Sequence, residues 1–280
     1  MNVSNLVLRT LSSVVLAPLV LGIIWFGAPV YEMYAVPLYT VLMAIFGAGL
    51  AWEWDKMFNK QITVGGVWTI IIACLTAFLT KDNPQFALWL MLVGTVVVYL
   101  KSARSLAMAF GVLYICVPVM ALSYIYFIND AISRELVLWL FFVVWATDVG
   151  GYVIGCTFKG PKIAPSISAK KTWSGFIGGV SFAAAVAYVF TLILKSYGYL
   201  DKMDFDRVTW ILVGSAAILS VFSQIGDFFE SFIKRRLGLK DSSNIIPGHG
   251  GLFDRVDGLL FASTLMGVVL FCINQGWITK

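Results

Sequence analysis

Charged residues are scarce in this chain: Asp, Glu, Lys and Arg make up 12% of its 280 residues, whereas 60% are hydrophobic. A soluble domain carries about 25% charged residues, and a soluble core of this size would need far more polar surface to cover it. The composition therefore excludes an ordinary soluble globular protein and indicates an integral membrane protein.

Several common site motifs are missing as well. The four cysteines form neither a Cys-x-x-Cys pair nor a Cys/His zinc spacing, and the Walker pattern G-x-x-x-x-G-K-[ST] is absent. The net charge of +5 is modest, and the basic residues sit in short loops between apolar runs. They are expected to set membrane topology and to contact lipid headgroups, and no nucleic-acid partner is predicted.

Long apolar runs are abundant. A spanning helix needs about 20 mostly apolar residues, and nine runs approach that length: 10–27, 31–52, 62–80, 86–100, 106–128, 136–156, 174–195, 208–230 and 256–274. We predict an all-α integral membrane protein, a polytopic bundle of about nine transmembrane helices. The first run is expected to be a retained helix and not a cleaved signal peptide.

The basic residues predict the orientation of these helices, because cytoplasmic loops are enriched in Lys and Arg. With the N-terminus in the cytoplasm, the outer segments hold only a few of the 20 basic residues: Lys81, Arg134, Lys195, Lys202, Arg207 and Lys280. The two richest loops, 157–173 and 231–255, then face the cytoplasm. We predict a multi-pass protein of the inner (cytoplasmic) membrane with its active site on the cytoplasmic face.

Carboxylates inside spanning segments are costly and usually mark function. The acidic residues of the later runs all fall toward the predicted cytoplasmic side: Asp148, Asp227, Glu230, Asp254 and Asp257. They are expected to converge in a cytoplasm-facing polar cavity. For Asp254 and Asp257, the alternative is an internal ion pair with Arg255 or a neighbouring lysine.

The eighth run carries a polar stripe on one helical face, because its polar residues recur at intervals of four and three. The stripe comprises Ser220, Gln224, Asp227, Ser231 and Lys234. In lipid it must face protein or a water-filled cavity. The alternative is a helix-packing seam, in which Ser and Gln join helices by hydrogen bonds.

Carboxylates beside lysines, without cysteine ligands or a histidine cluster, suit a hard cation such as Mg²⁺ and point to phosphoryl or nucleotidyl transfer. The loop 157–173 adds lysines and hydroxyls, and Gly155, Gly160 and Gly175 could allow close approach to an anion. Alternatively, this loop only follows the positive-inside rule. The lone His249 could bind phosphate, orient an aspartate or act as a base.

The segment from Ser231 to Asp257 resembles the signature of the phosphatidate cytidylyltransferase (CDP-diacylglycerol synthase) family. The matching positions are Ser231, Lys234, Arg235, Lys240, Asp241, Pro247, His249, Gly250, Gly251, Asp254, Arg255 and Asp257. Upstream, QIGDFFE and the segment from Asp148 through ISAKKTWSG are also similar to family motifs. Ala169 and Ser174 stand where the family has proline and glutamate. The resemblance is specific from Asp148 onward.

The resemblance implies transfer of CMP from CTP to phosphatidic acid, which gives CDP-diacylglycerol and pyrophosphate, with Mg²⁺ and a monovalent cation, K⁺. It implies that Asp227 and Asp254 bind the metal. The other residues that it implies to be catalytic are Lys234, Lys240, Asp241 and His249. The residues expected to bind substrate are Asp148, Ser168, Lys170, Lys171, Thr172, Ser231, Arg235, Gly250, Gly251, Arg255 and Asp257.

We therefore expect a catalytic region at 131–280 and N-terminal helices at 1–130 that serve for packing or for contact in a homodimer. Two other functions stay open at this point. A CTP-dependent lipid or polyprenol kinase would use similar residues but would release CDP. An ion-coupled transporter could use the same carboxylates to bind cations, although no pair of broken helices in two repeats is found in the sequence.

Overall fold

Helices form the regular structure of this chain, as seen in a computed structural model that describes residues 3–27, 37–128, 132–201, 204–246, 248 and 250–277. The predicted all-α class is confirmed for these residues, whose extended pairings are two isolated bridges, Lys162 with Thr172 and Ile246 with Gly250. A helix satisfies its backbone hydrogen bonds internally, so apolar runs in lipid fold this way.

Within the described residues, the helices follow the apolar runs one by one. They are α1 (Val3–Phe26), α2 (Leu38–Asn59), α3 (Val64–Thr80), α4 (Pro84–Lys101), α5 (Leu106–Phe127), α6 (Ser133–Phe158), α7 (Trp173–Ser196), α8 (Phe205–Arg236) and α9 (Phe253–Asn274).

Six of these helices, α4 to α9, are long and apolar enough to cross a membrane. Helix α3 is apolar but has 17 residues, and α2 carries Glu53, Asp55 and Lys56 near its C-terminal end. The chain is therefore a polytopic helical membrane protein by length and composition. The number of nine spans stays a prediction.

Several helix ends differ from the sequence prediction; α1, for example, begins at Val3 instead of residue 10. Helix α2 continues to Asn59 instead of ending at 52, α8 continues to Arg236, and α9 begins at Phe253. Basic residues in the last turn of α8 and Asp254 in the first turn of α9 both stabilise the helix dipole. The segment between α8 and α9 is consequently 237–252, shorter than the predicted 231–255.

The chain divides into two compact units. The first comprises 1–137, 233–256 and 266–280, and the second comprises 138–232 and 257–265. Because this division reflects packing and not function, the predicted functional division into 1–130 and 131–280 stays a prediction.

In the first unit, helix α3 packs against α2, α4 and α5, and α1 contacts α2. The start of α9 is anchored here, because the fully buried Phe253 stacks on Tyr114 of α5 with ring centroids 5.7 Å apart and an interplanar angle of 7°. Trp54 of α2 lies 5.9 Å from the same ring and donates a hydrogen bond to the carbonyl of Ala107 at 3.1 Å. Aromatic side chains of α2 and α5 thus fix where α9 begins.

In the second unit, α6 and α7 approach closely through glycines. A β-carbon on Gly175 would lie 2.7 Å from the carbonyl oxygen of Gly151 and 3.3 Å from the α-carbon of Gly155. Small residues are typical of such helix contacts in membranes. Gly155 and Gly175, predicted to make room for an anion, here make room for a neighbouring helix.

Candidate active site

Asp254 organises the end of the segment that leads into α9. Its Oδ1 lies 2.5 Å from the Lys234 ammonium, and both side chains are nearly buried, at 7% and 10% exposure. Its Oδ2 accepts hydrogen bonds from the backbone of Gly251 at 2.8 Å and from the backbone and hydroxyl of Ser242 at 2.9 Å each. The predicted alternative of an ion pair with a neighbouring lysine is what the geometry shows for Asp254.

Glu53 of α2 holds the same segment from the other side. This fully buried residue accepts hydrogen bonds at Oε1 from the backbone of Leu252, at 2.7 Å, and from the hydroxyl of Ser243, at 2.5 Å. Its Oε2 accepts from the backbone of Phe253, at 2.8 Å, and lies 3.2 Å from the hydroxyl of Ser242, which can donate its one hydrogen either here or to Asp254. We call Glu53, Lys234, Ser242, Ser243 and Asp254 the loop network.

Helix α9 needs this external carboxylate. The first N–H groups of a helix have no partner inside the helix, and the N-cap residue Leu252 has no side chain that can accept them. Glu53 supplies the missing acceptor from a different helix, and its negative charge lies at the positive end of the α9 dipole.

The two glycines of the signature have different structural uses. Gly250 has φ +87°, a left-handed conformation that favours glycine, and its carbonyl accepts a hydrogen bond from the backbone of Ile246 at 2.9 Å. Gly251 has an ordinary backbone but no room, because a β-carbon there would collide with the Ser242 hydroxyl and Glu53 Oε1. Both glycines are therefore required by the path of the segment itself.

Four other charged residues of the signature are accessible. Arg235, Lys240, Asp241 and Arg255 are exposed, and Arg235 donates a hydrogen bond to the carbonyl of Leu239 at 3.0 Å. Ser231 is half-buried on α8. Pro247 and His249, both part of the predicted signature, lie outside the described residues.

Asp227 of α8 forms an ion pair with Lys171, and this pair is more open than that of Asp254. The two side chains are 32% and 25% exposed, and the Lys171 ammonium also lies 4.2 Å from the centroid of the Phe228 ring. The pair links the end of the lysine-rich loop to α8 in the second unit.

Asp227 is one of three carboxylates that lie within electrostatic range of Asp257. Asp257 of α9 is close to Asp227, Glu230 and Asp148, and its Oδ1 accepts a hydrogen bond from the backbone of Gly258 at 2.8 Å. We call Asp148, Asp227, Glu230 and Asp257 the acidic cluster. The structure thus brings together these predicted carboxylates, in a group with strong affinity for positive charge.

The predicted substrate-binding loop, 157–173, closes on itself before α7. The backbone of Ile163 donates to the carbonyl of Lys171 at 3.2 Å, and that of Trp173 donates to Pro161 at 3.1 Å. The buried Thr172 caps α7, because its hydroxyl accepts a hydrogen bond from the backbone of Gly175 at 3.2 Å. Ser168 and Lys170 lie on the more open part of the loop.

The polar stripe of α8 divides into two parts. Ser220 hydrogen-bonds the hydroxyl of Thr147 at 2.8 Å, and Gln224 donates to the carbonyl of Phe176 at 3.3 Å, so this part is a helix-packing seam. Asp227 and Lys234 instead pair with oppositely charged side chains. The packing-seam interpretation therefore applies to Ser220 and Gln224, and a water-filled cavity beside Asp227 stays a prediction.

The acidic cluster fits a hard cation in its chemistry. Among the described residues, no group of three or more His, Cys, Asp or Glu side chains converges into a complete metal site. Mg²⁺ does not need such a group, since one or two carboxylates, water and substrate phosphates complete its shell. Asp227, whose side chain is 32% exposed, could serve as such a donor. Asp254 fits less well, because Lys234, Ser242 and Gly251 already occupy its oxygens.

These observations define the class of protein first: a polytopic helical membrane protein whose charged side chains gather at helix ends. The model of the cytidylyltransferase family matches residues 7–273, and the chain belongs to this family.

Curated relatives support this membership over nearly the whole chain. It is 30% identical to a protein named phosphatidate cytidylyltransferase from Brucella suis, over 94% of this chain and 92% of the relative. It is 31% identical to proteins of the same name from Rickettsia felis, over 96% and 92%, and from Rickettsia bellii, over 97% and 91%.

Three residues of the loop network are missing from the sequence prediction: Glu53, Ser242 and Ser243. The second predicted run ends at 52, so Glu53 falls outside the predicted helix. The signal was present in the sequence: Glu53 and Asp55 flank Trp54 at the end of an otherwise uncharged run. Aromatic residues at that depth favour continuation of the helix to a membrane interface.

Proposed function

We propose that this chain is a phosphatidate cytidylyltransferase, which transfers CMP from CTP to phosphatidic acid in the synthesis of phospholipids. The observation that carries the proposal is membership of the cytidylyltransferase family over residues 7–273. Relatives that cover more than nine-tenths of the chain bear the name of this enzyme, and the signature residues stand in register from Ser231 to Asp257.

The reaction needs little acid–base chemistry. A phosphate oxygen of phosphatidic acid attacks the α-phosphorus of CTP, the bond from that phosphorus to the bridging oxygen breaks, and pyrophosphate leaves. A phosphate monoester has a second pKa of about 6, so most of its second protons are already lost near neutral pH. Catalysis then depends on positioning and on neutralising phosphate charge, which suits a site rich in Asp, Lys and Arg.

The exposed basic residues are the proposed phosphate ligands. Arg235, Lys240 and Arg255 have accessible side chains, and Lys170 lies on the open part of the lysine-rich loop. Lys234 is proposed to hold Asp254 in place, since its ammonium is buried against that carboxylate. Asp241 and His249 are proposed to shape the nucleotide site.

Asp227 is the proposed Mg²⁺ ligand, supported by its partial exposure and by the acidic cluster around it. When bound, Mg²⁺ would neutralise phosphate charge and orient the substrate. The family resemblance that implies Mg²⁺ also implies Asp254 as a second ligand and K⁺ as a second cation, and both stay predictions.

The proposed setting is the inner membrane, with the signature segment facing the cytoplasm. The support is the excess of Lys and Arg in the predicted inner segments. The ends of α2 and α8 and the start of α9 meet in the loop network. If the N-terminus is cytoplasmic and each helix crosses the membrane once, these three helix ends all lie on the cytoplasmic side. We also propose the homodimer predicted for the N-terminal helices, and we assign no residues to its contact surface.

One assay tests the proposal. Purified full-length protein in detergent–lipid micelles receives CTP labelled in its cytosine and phosphatidic acid, with and without Mg²⁺. The expected products are lipid-linked CMP and pyrophosphate, formed only with Mg²⁺. Release of CDP with a phosphorylated lipid would identify a kinase instead. If no lipid-linked CMP forms at any Mg²⁺ concentration, the proposed function is wrong.

A further inference from the structure

We infer that Glu53 is a positioning residue for the cytidylyl transfer, acting through the segment between α8 and α9. This inference rests on the proposed function. It assigns a part in the reaction to α2, a helix far from the signature in sequence, which was expected to serve only packing or a dimer contact.

The partners of Glu53 carry the argument. Burying an ionised carboxylate is expensive unless hydrogen bonds compensate it. Each oxygen of Glu53 accepts a hydrogen bond from one backbone N–H and lies within hydrogen-bond distance of one hydroxyl, with all four distances between 2.5 and 3.2 Å. Every one of these donors belongs to residues 242–253, so Glu53 is matched to the signature segment and not merely to its own surroundings.

The network continues from Glu53 to the charged residues of the signature. The hydroxyl of Ser242 lies between Glu53 Oε2 and Asp254 Oδ2 and can donate its one hydrogen to either carboxylate, and Asp254 pairs with Lys234. The space beside Gly251 is filled by Glu53 and Ser242. A displacement of Glu53 therefore shifts Asp254 and the segment that carries Lys240 and Asp241.

Asp55 provides a matched comparison on the same helix. It is also buried, with 1% exposure, and it accepts hydrogen bonds from Asn59 at 2.7 Å and from the backbone and hydroxyl of Thr63 at 2.6 and 2.9 Å. Its partners belong to the connection between α2 and α3, outside the signature. Loss of the charge at Asp55 perturbs α2 and its loop without releasing the signature segment.

The experiment compares Glu53→Gln with Asp55→Asn in the full-length protein. An amide offers one acceptor oxygen where the carboxylate offers two, so Gln cannot accept from both pairs of donors. We expect Glu53→Gln to lower kcat/KM for CTP by about tenfold to a hundredfold, since a shift of about 1 Å in a positioning segment has effects of this size. For Asp55→Asn, kcat/KM for CTP is expected to stay within about threefold of the wild-type value, because the partners of Asp55 do not position the signature segment.

Hydrogen exchange supplies a readout that does not depend on activity. Glu53→Gln should accelerate amide exchange in residues 239–253, whereas Asp55→Asn should accelerate it in residues 60–66. Glu53→Asp keeps the charge and should restore part of the protection and part of kcat/KM. Wild-type protection at 239–253 in Glu53→Gln would overturn the inference, even if the wild-type protein proved inactive as a cytidylyltransferase.

Ser243→Ala keeps the test decisive if Glu53→Gln does not fold. This half-buried residue contributes one hydroxyl to Glu53, and its loss should lower kcat/KM severalfold and loosen the same segment. If Glu53→Gln does fold, the losses of kcat/KM from the two substitutions should be less than multiplicative in the double variant, because both substitutions remove the same hydrogen bond. Unchanged kinetics and exchange in Ser243→Ala, or strictly multiplicative losses in the double variant, would contradict the inference.

Discussion

The loop network and the acidic cluster use the same residue types in opposite ways. In the loop network, Glu53 and Asp254 are buried and their oxygens are matched by protein donors. In the acidic cluster, several carboxylates share electrostatic range, and Asp227, paired with Lys171, stays partly exposed. Carboxylates that are matched by protein donors order a backbone, whereas a crowded group with a partly exposed member is suited to bind a cation. Asp254 and Asp257, three positions apart on α9, fall on opposite sides of this distinction.

The largest expected effect is in the acidic cluster. Asp227→Asn should lower kcat by about a thousandfold or more, since loss of a charge that holds Mg²⁺ removes several kcal/mol of transition-state stabilisation. The measurement is formation of lipid-linked CMP over a series of Mg²⁺ concentrations. Asp206→Asn, at an exposed position on the same helix, should keep normal turnover. Near-normal turnover in Asp227→Asn would remove this residue from the metal site.

Asp254→Asn sharpens the comparison. It should lower kcat/KM by about a hundredfold, because the signature segment is released, and it should also lower thermal stability, because it leaves the Lys234 ammonium buried beside a neutral amide. Asp227→Asn should leave the unfolding midpoint almost unchanged, since its pair is partly exposed. An Asp254→Asn protein with wild-type stability but a much higher Mg²⁺ requirement would mean that Asp254 is chiefly a metal ligand.

Substitution of the two paired lysines should show that the loss of stability depends on how deeply the ion pair is buried. Lys234→Met breaks a nearly buried pair and should cost about 3–5 kcal/mol, which lowers the thermal midpoint in detergent by roughly 10 °C. Lys171→Met breaks a pair that is 25% and 32% exposed and should cost about 0–1 kcal/mol. Equal losses of stability in the two variants would erase the proposed difference between the regions.

The sequence predicts the helices well because each helix is encoded by a local feature, an apolar run of about the length that spans a membrane. It also predicts which carboxylates of the later helices are unusual, since an acid inside an apolar run is conspicuous wherever its partners lie. The loop network could not be predicted from the sequence for two reasons. Glu53 acts on residues about 190 positions away, and only tertiary packing brings them together. The expected end of the helix at 52 also hid it.

The role of Gly155 and Gly175 shows a second limit. A glycine near lysines suggests an anion site, but the same lack of a side chain serves the contact of α6 with α7. Spacing within one segment cannot distinguish the two uses, because the neighbour that approaches the glycine belongs to another helix. Thr172 is similar: its hydroxyl was assigned to substrate, and it caps α7.

A smaller effect is expected where the loop network is crowded by a single methyl group. In Gly251→Ala the new β-carbon would collide with Ser242 and Glu53, so the segment must shift. We expect kcat/KM to fall about tenfold or more with normal Mg²⁺ dependence, in contrast to Asp227→Asn. Gly214→Ala, which has no atom within 4 Å of the added carbon, should match the wild type. Full activity in Gly251→Ala would show that the segment tolerates displacement.

The smallest effect is expected at the seam of α6 and α8, which belongs to neither region. Thr147 and Ser220 hydrogen-bond at 2.8 Å and are both buried. Interhelical hydrogen bonds in membranes contribute about 0.6 kcal/mol on average, so Ser220→Ala should lower the thermal midpoint by only about 1–2 °C and leave kcat/KM within about twofold of the wild-type value. Thermal unfolding and the CTP assay on the same preparation measure both. A loss of activity comparable to that of Asp227→Asn, without a loss of stability, would mean that the polar stripe of α8 works as one catalytic surface. The division of the stripe at Asp227 would then be wrong.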